Sequence, residues 1–222
     1  MRTAILIYGE YRTMDEVSSS WIFDKCFKDY DVFVSTWDYC NEYKLSYSGK
    51  NMVKTKSGGF TVTEDMVKRN VPNGIIKISQ FIEQPTYCSM AYHYRTGLDM
   101  INSMGKEYDS ILIMRCDLEF TRLLNNKEDE LIEEIPNKVI YGNSPIYIDD
   151  IEPTKYYTSE IIFFEKYEIM NKVFSSIPTN ENTHHTYAEH ILNNNHYLKQ
   201  IGIYPQFSTI VLVRDNGVRL II

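Results

Sequence analysis

The chain opens on an unbroken apolar run, Ala4 to Tyr8, closed by Gly9. A continuous run, in place of alternation, suits a strand covered on both faces. Thr13-x-x-Glu16 follows as a capping box ahead of Val17, Trp21, Ile22, Cys26 and Phe27, which predicts a helix. Asp31 to Trp37 (DVFVSTW) then reads as a second strand, and the three elements make the opening βαβ unit of a parallel sheet. Tyr39 to Thr63 is polar and carries Gly49, Gly58 and Gly59, so it reads as a long excursion with room for one hairpin. Ile75 to Phe81 is a third short strand. Met90, Tyr94, Leu98, Ile101 and Met104 then recur at helical spacing until Gly105 stops the helix. That helix feeds a buried-strand pattern, Ser110 to Met114, which runs on into Arg115-Cys116-Asp117-Leu118-Glu119.

The second half is less regular. Asn126 to Ile135 predicts a short surface helix ended by Pro136, and Val139 to Tyr141 and Glu160 to Phe164 predict strands. Tyr167 to Phe174 predicts a helix, Thr183 to Gln200 a longer one closed by Gly202, and Ile203 to Phe207 with Ile210 to Val213 the end of the sheet. No internal repeat or linker interrupts the 222 residues, so a single domain is expected.

Composition narrows the class. Hydrophobic residues at 43% and charged residues at 24% are ordinary for a globular chain able to bury a core. A formal charge of −7 opposes broad binding to nucleic acid or to an anionic membrane. No run approaches a membrane span, and the first apolar run is too short for a signal peptide. Cys26, Cys40, Cys88 and Cys116 lack zinc-site spacing and read as reduced thiols, so a cytoplasmic location is expected, that of the host if the source is viral. The 18 tyrosines offer rings that pack and hydroxyls that bond, which suits sugars and bases.

Candidate chemistry gathers where strands end, the edge at which α/β proteins bind ligands. On an extended strand Arg115, Asp117 and Glu119 would share a face. Two carboxylates there suit a divalent cation carrying a phosphorylated substrate; the alternative is an edge ladder in which Arg115 neutralises its neighbours. In the first loop Gly9-Glu10-Tyr11-Arg12, free backbone N–H groups and the forked Arg12 suit an anion, although Arg12 could equally pair with Asp15 or Glu16. Trp37 ends the second strand, where it could stack on a base or pack under the long loop. Arg95 could reach a phosphate or pair with Asp99 at i, i+4. His185 and Glu189 share a helix face, and Asp149-Asp150 lie in a Tyr- and Pro-containing stretch; each is a candidate for acceptor chemistry or a solvated pair or turn. No GxGxxG or GxxxxGK[ST] occurs, which argues against dinucleotide dehydrogenases and P-loop enzymes.

The Gly9-x-x-Arg12 turn, the Asp31 to Trp37 strand, and Tyr108-Asp109 followed by an apolar strand and Arg115-x-Asp117-Leu118-x-Phe120 resemble a family of small sugar-nucleotide glycosyltransferases with the GT-A fold, found in bacteria and large DNA viruses. Glu189 ahead of Gly202-Ile203 is similar to the acceptor-side segment of that family. The resemblance implies an α/β, Rossmann-like fold with a mostly parallel central sheet flanked by helices. It implies a nucleotide-sugar half at about 1–120 and an acceptor half at about 121–222. On the donor side stand Tyr8, Gly9, Arg12, Trp37, Arg95 and Arg115, with UDP the leading nucleotide. Mn²⁺ or Mg²⁺ would be held by Asp117 and Glu119, the strand ending Asp-x-Glu where Asp-x-Asp is commoner. A glycan or glycoconjugate supplies the acceptor hydroxyl, with Glu189 first and Asp150 second as base if the reaction inverts. A metal-dependent phosphatase or nucleotidyltransferase using Asp117 and Glu119, and a non-catalytic carbohydrate-binding module, are the alternatives.

Overall fold

The computed structural model describes residues 2–21, 23–48, 51–82, 89–120, 147–148, 156–157, 162–176, 210–213 and 219–221. In chain order the first half comprises β1 (Arg2–Tyr8), α1 (Met14–Val17), α2 (Phe23–Cys26), β2 (Asp29–Trp37), β3 (Tyr39–Ser48), β4 (Asn51–Thr61), α3 (Glu64–Asn70) and β5 (Ile75–Ser79). Then follow α4 (Ser89–Ser103), β6 (Ser110–Arg115), β7 (Leu118–Phe120), β8 (Tyr147–Ile148) and β9 (Tyr156–Tyr157). The last are β10 (Ile162–Lys166), α5 (Tyr167–Ser176), β11 (Ile210–Val213) and β12 (Arg219–Ile221).

The main sheet has the order β10-β6-β1-β2-β5. β6, β1, β2 and β5 are parallel, and β10 closes one edge antiparallel to β6. This is the Rossmann-like α/β architecture expected of the alternating strands and helices. Register places Tyr8 level with Ser35 on one side and with Arg115 on the other.

The period of two along each strand divides the core in two. Ala4, Leu6, Tyr8, Phe33, Ile111 and Ile113 pack with Ala91, Tyr94, Leu98 and Ile101 of α4 and Met170 of α5. Ile5, Ile7, Val32, Val34, Leu112 and Met114 face the other way, onto Met14 of α1, Phe23 of α2 and Val67 of α3. No helix among the described residues is long and apolar enough to cross a membrane.

Several expectations are corrected. The helix predicted from the capping box is broken: α1 lasts one turn, Ser18–Ser20 form a 3₁₀ turn, and Trp21 is extended before α2 begins. Thr13 makes no side-chain cap. Three successive serines explain the break, because their hydroxyls compete for backbone partners: Ser20 donates to the Val17 carbonyl at 2.6 Å. The Trp21 indole instead reaches the Leu118 carbonyl at 2.7 Å. The hairpin for which the polar excursion left room does form and takes up nearly all of it, β3 antiparallel to β4 with a bulge at Glu42/Tyr43. α3, capped by Thr63, was not anticipated. β6 stops at Arg115, and β7 leaves for a separate three-stranded sheet with β11 and β12. The helices predicted at 126–135 and 183–200, and the strands at 139–141 and 203–207, lie outside the described residues.

α4 approaches β1 closely at Gly97, where a Cβ would stand 2.4 Å from both methyls of Leu6. Leu6 is fully buried, so its methyls have nowhere to go. Gly97→Ala should therefore lose stability although alanine favours helix by about 1 kcal/mol, because overpacking costs about 1–3 kcal/mol. Urea unfolding should show a lower midpoint, and the effect of Gly97→Ala should shrink or reverse when it is made in a Leu6→Ala background. A raised midpoint in Gly97→Ala alone would mean that the helix stands off the sheet.

Candidate ligand-binding site at the strand ends

The carboxyl ends of β6, β1 and β2 lie side by side, and between them opens a cavity of about 120 Å³. Its lining is Tyr8 at the end of β1, Gly9, Glu10 and Arg12 of the first loop, Trp37 of β2, Met90 and His93 of α4, Arg115 at the end of β6, and Cys116 and Asp117 just beyond it. Two last rungs hold the rim: Cys116 N–H donates to the Tyr8 carbonyl and Gly9 N–H to that of Ser35, both at 3.1 Å. Gly9 has φ +110°, a conformation open to glycine and strained for other residues. Arg12 has φ +34°, an uncommon left-handed setting for a branched-free but bulky side chain, of the kind that loops store where a side chain must be aimed.

One end of the cavity is ionic. Arg115 forks onto Asp117, Nε to Oδ1 at 2.8 Å and Nη2 to Oδ2 at 2.5 Å. Arg12 Nη1 reaches the same Oδ2 at 3.5 Å, and its Nε donates to Glu10 at 3.0 Å. Asp117 is 1% exposed, against 15% and 22% for the side chains of Arg12 and Arg115. Burial works against the charge on both arginines. Glu10 and Asp117 outweigh it at Arg12, as Asp117 does at Arg115, so both guanidiniums are held above their ordinary pKa and stay charged. Burial pushes the Cys116 thiol well up, so it is a packed neutral group with no nucleophile's character.

The other end is aromatic. Trp37 stacks on Tyr92 with centroids 5.0 Å apart and meets the His93 ring edge-on at 4.4 Å. The Tyr94 hydroxyl donates to that of Tyr8 at 2.8 Å. His93 is buried, with Nδ1 2.8 Å from Ser35 Oγ, and burial pushes its pKa down to about 3, so it is neutral at ordinary pH.

The structure thus brings together Tyr8, Gly9, Arg12, Trp37, Arg115 and Asp117 of the residues singled out in the sequence. Arg95 is not with them: it donates to the Ser175 carbonyl of α5 at 3.2 Å. Glu119 is not with them either, because the chain turns at Cys116 and Asp117 and sets Glu119 on β7, opposite Val211. Of the loop's backbone donors, Gly9 N–H is spent on Ser35 and Arg12 N–H on Cys40 Sγ at 3.2 Å. Glu189 and Asp150 lie outside the described residues. Glu10, Met90, Cys116 and His93 were not singled out. For His93 the signal was present, since it follows Met90 by three and precedes Tyr94 on the same helical stripe, a polar residue among apolar positions.

No group of three His, Cys, Asp or Glu side chains suited to a metal occurs among the described residues. Asp117 spends both oxygens on guanidinium donors, and a dication beside it would face two like charges. Among the described residues, this arrangement does not fit Mn²⁺ or Mg²⁺.

No family model matches the chain, and no curated protein matches it. Among solved structures it is similar to the crystal structure of the glycosyltransferase GlyE of Streptococcus pneumoniae TIGR4, with 9% sequence identity and a TM-score of 0.46. That match covers 92% of this chain and 45% of the other, so the chain spans less than half the length of GlyE.

The neutral His93 links the site to stability. An unfolded chain protonates this imidazole near 6.5, the folded one near 3, so between those values the unfolded state binds more protons and stability falls as pH falls. From pH 7 to 5.5 the parent should lose about 1 kcal/mol more unfolding free energy than His93→Gln, which removes the titration. Equal losses in urea titrations of the two chains would show an imidazole that charges freely in the fold.

Proposed function

We propose that the cavity takes the nucleoside diphosphate of a nucleotide sugar and that the protein is a glycosyltransferase acting on a hydroxyl acceptor. The observation that supports this is the pairing of unlike ends in one cleft at the carboxyl edge of a parallel sheet: permanent guanidiniums beside Tyr8 on the β6 side, and Trp37 with a neutral imidazole on the β2 side. A nucleotide has the same two-ended chemistry, phosphates at one end and a flat polar ring at the other. UDP is the leading nucleotide.

Arg12 is the guanidinium placed to serve the ligand. Arg115 is locked in a fork on Asp117, whereas Arg12 holds the same carboxylate only at 3.5 Å and can exchange Glu10 for a phosphate oxygen. In the transfer, an acceptor oxygen bonds to the anomeric carbon as the bond to the diphosphate oxygen breaks. The electron pair departs with the diphosphate, whose charge Arg12 meets, and the acceptor proton passes to a base. Glu189 is proposed for that role, with Asp150 second, if the reaction inverts.

Calorimetry with UDP, GDP, CDP and dTDP, each in Mn²⁺ and in EDTA, tests the reading. The parent should bind one of them, and Arg12→Lys should weaken that binding about tenfold, since it keeps the charge and loses the fork. Binding by Arg12→Ala equal to the parent's would make the first loop only a turn. Glu189→Gln should leave diphosphate affinity in place while transfer from the matching nucleotide sugar falls by about 100-fold. Full transfer by that variant would remove Glu189 from the chemistry.

A further inference from the structure

One residue lining this cavity carries a buried polar atom that lacks a partner. His93 Nε2 is shut off from solvent and has no hydrogen-bond partner among the described residues, although the residue lines the cavity. A buried polar atom left so costs about 1–3 kcal/mol. Asn41 Oδ1 is also unpartnered, but Asn41 does not line the cavity. Among the described residues His93 alone both lines the cavity and carries an orphaned buried atom, and a ligand reaching Nε2 must enter past the side chains that now cover it.

The other ring nitrogen decides what Nε2 offers. Ser35 Oγ stands 2.8 Å from Nδ1, and Nδ1 is the one acceptor that the Ser35 hydroxyl has among the described residues. If Nδ1 carried the proton, the hydroxyl hydrogen and the Nε2 lone pair would both be stranded. If Ser35 donates to Nδ1, one orphan remains, the Nε2–H. The second arrangement buries fewer unmet groups. Trp37 fixes the ring plane from the side, edge-on at 4.4 Å, so the donor is held in a set direction.

We propose that His93 is a specificity-determining residue whose Nε2–H donates to a carbonyl or hydroxyl oxygen of the ligand's nucleoside, at the Trp37 end of the cavity and apart from the phosphates. Across the sheet the order runs from Arg115 through Tyr8 to Ser35, so the imidazole stands on the side away from the ionic cluster. Burial keeps the ring neutral, which suits an uncharged oxygen and gives no added attraction for phosphate. A ligand with no acceptor at that point would leave the Nε2–H unmet, and rejection of such ligands is the selectivity that a site of this kind provides.

The proposal rests on the nucleotide reading of the cavity, and UDP is the probe. His93→Phe keeps a flat ring without the donor, and His93→Gln restores an amide N–H near the position of Nε2. His93→Phe should weaken UDP binding by about tenfold in calorimetry while His93→Gln stays within about threefold of the parent. Both variants should melt within a few degrees of each other. Binding by His93→Phe equal to the parent's overturns the proposal alone; failure of every nucleoside diphosphate to bind the parent overturns it together with the nucleotide reading. Equal loss in both variants, with a common fall in melting temperature, would make His93 a packing residue and also overturns it. Nitrogen NMR of the labelled parent gives a check that needs no variant to bind: a neutral imidazole protonated at Nε2, its resonance moving on addition of UDP, is expected. An Nδ1-protonated ring rules the donor out.

Discussion

β1 is covered on both faces and flanked on both edges by parallel strands, and this double confinement builds the site at its end. From Thr3 to Tyr8 no residue is more than 2% exposed. A slip of one residue would exchange Leu6 and Tyr8 for Ile5 and Ile7 on the α4 face. Tyr8 would then lose Tyr94, and the rim bonds from Gly9 and Cys116 would lose their acceptors. Because such a slip disturbs the core on both faces at once, the register is fixed by packing of the whole sheet. The cavity inherits that precision without needing contacts of its own.

The ionic cluster beyond β6 shows how one carboxylate can be more useful buried than exposed. Removing Asp117 from water costs several kcal/mol, and only close, directed donors offset that. Arg115 supplies them as a fork, which also draws the chain into the turn at Cys116 and Asp117 and so ends the strand. The same pairing that stabilises the charge therefore decides where β6 stops. Arg12 enters from the other loop as a looser third member. Its second partner, Glu10, lies two residues away on the same loop and can be released without disturbing the sheet.

Much of the framework was legible because it depends on local pattern. The run from Ala4 to Tyr8, the Asp31 to Trp37 strand and the stripe from Met90 to Ile101 each carry their period in the sequence, and each forms the expected element. What escaped depends on contacts between distant residues. Glu119 sits two residues from Asp117, and nothing local says that a fork from Arg115 turns the chain between them. Ser18, Ser19 and Ser20 break a helix that the apolar spacing predicted, because hydroxyls compete with the helical bonds and Trp21 finds Leu118, 97 residues away. Arg95 could be read locally as a phosphate ligand or as a partner of Asp99, and neither reading names the Ser175 carbonyl of α5, 80 residues away, to which it donates. His93 was passed over because the apolar residues around it made the stripe look complete.

The two ends of the cavity are built on opposite rules, and the contrast bears on how it discriminates. At the ionic end the guanidiniums of Arg12 and Arg115 meet the carboxylates of Glu10 and Asp117, so the formal charges there balance before any ligand arrives. An anion bound to Arg12, as proposed, would have to displace Glu10, and only the difference between two charge-assisted bonds would be gained. At the aromatic end the imidazole is uncharged and Nε2 has no hydrogen-bond partner, so a ligand oxygen that reaches it breaks no existing hydrogen bond. A small neutral contact can then weigh as heavily as a charged one, because the charged contact is an exchange and the neutral one is a net addition. On the proposed nucleotide reading, affinity would draw on both ends, while the choice among ligands that share a diphosphate would fall to the end where the unpartnered Nε2 stands.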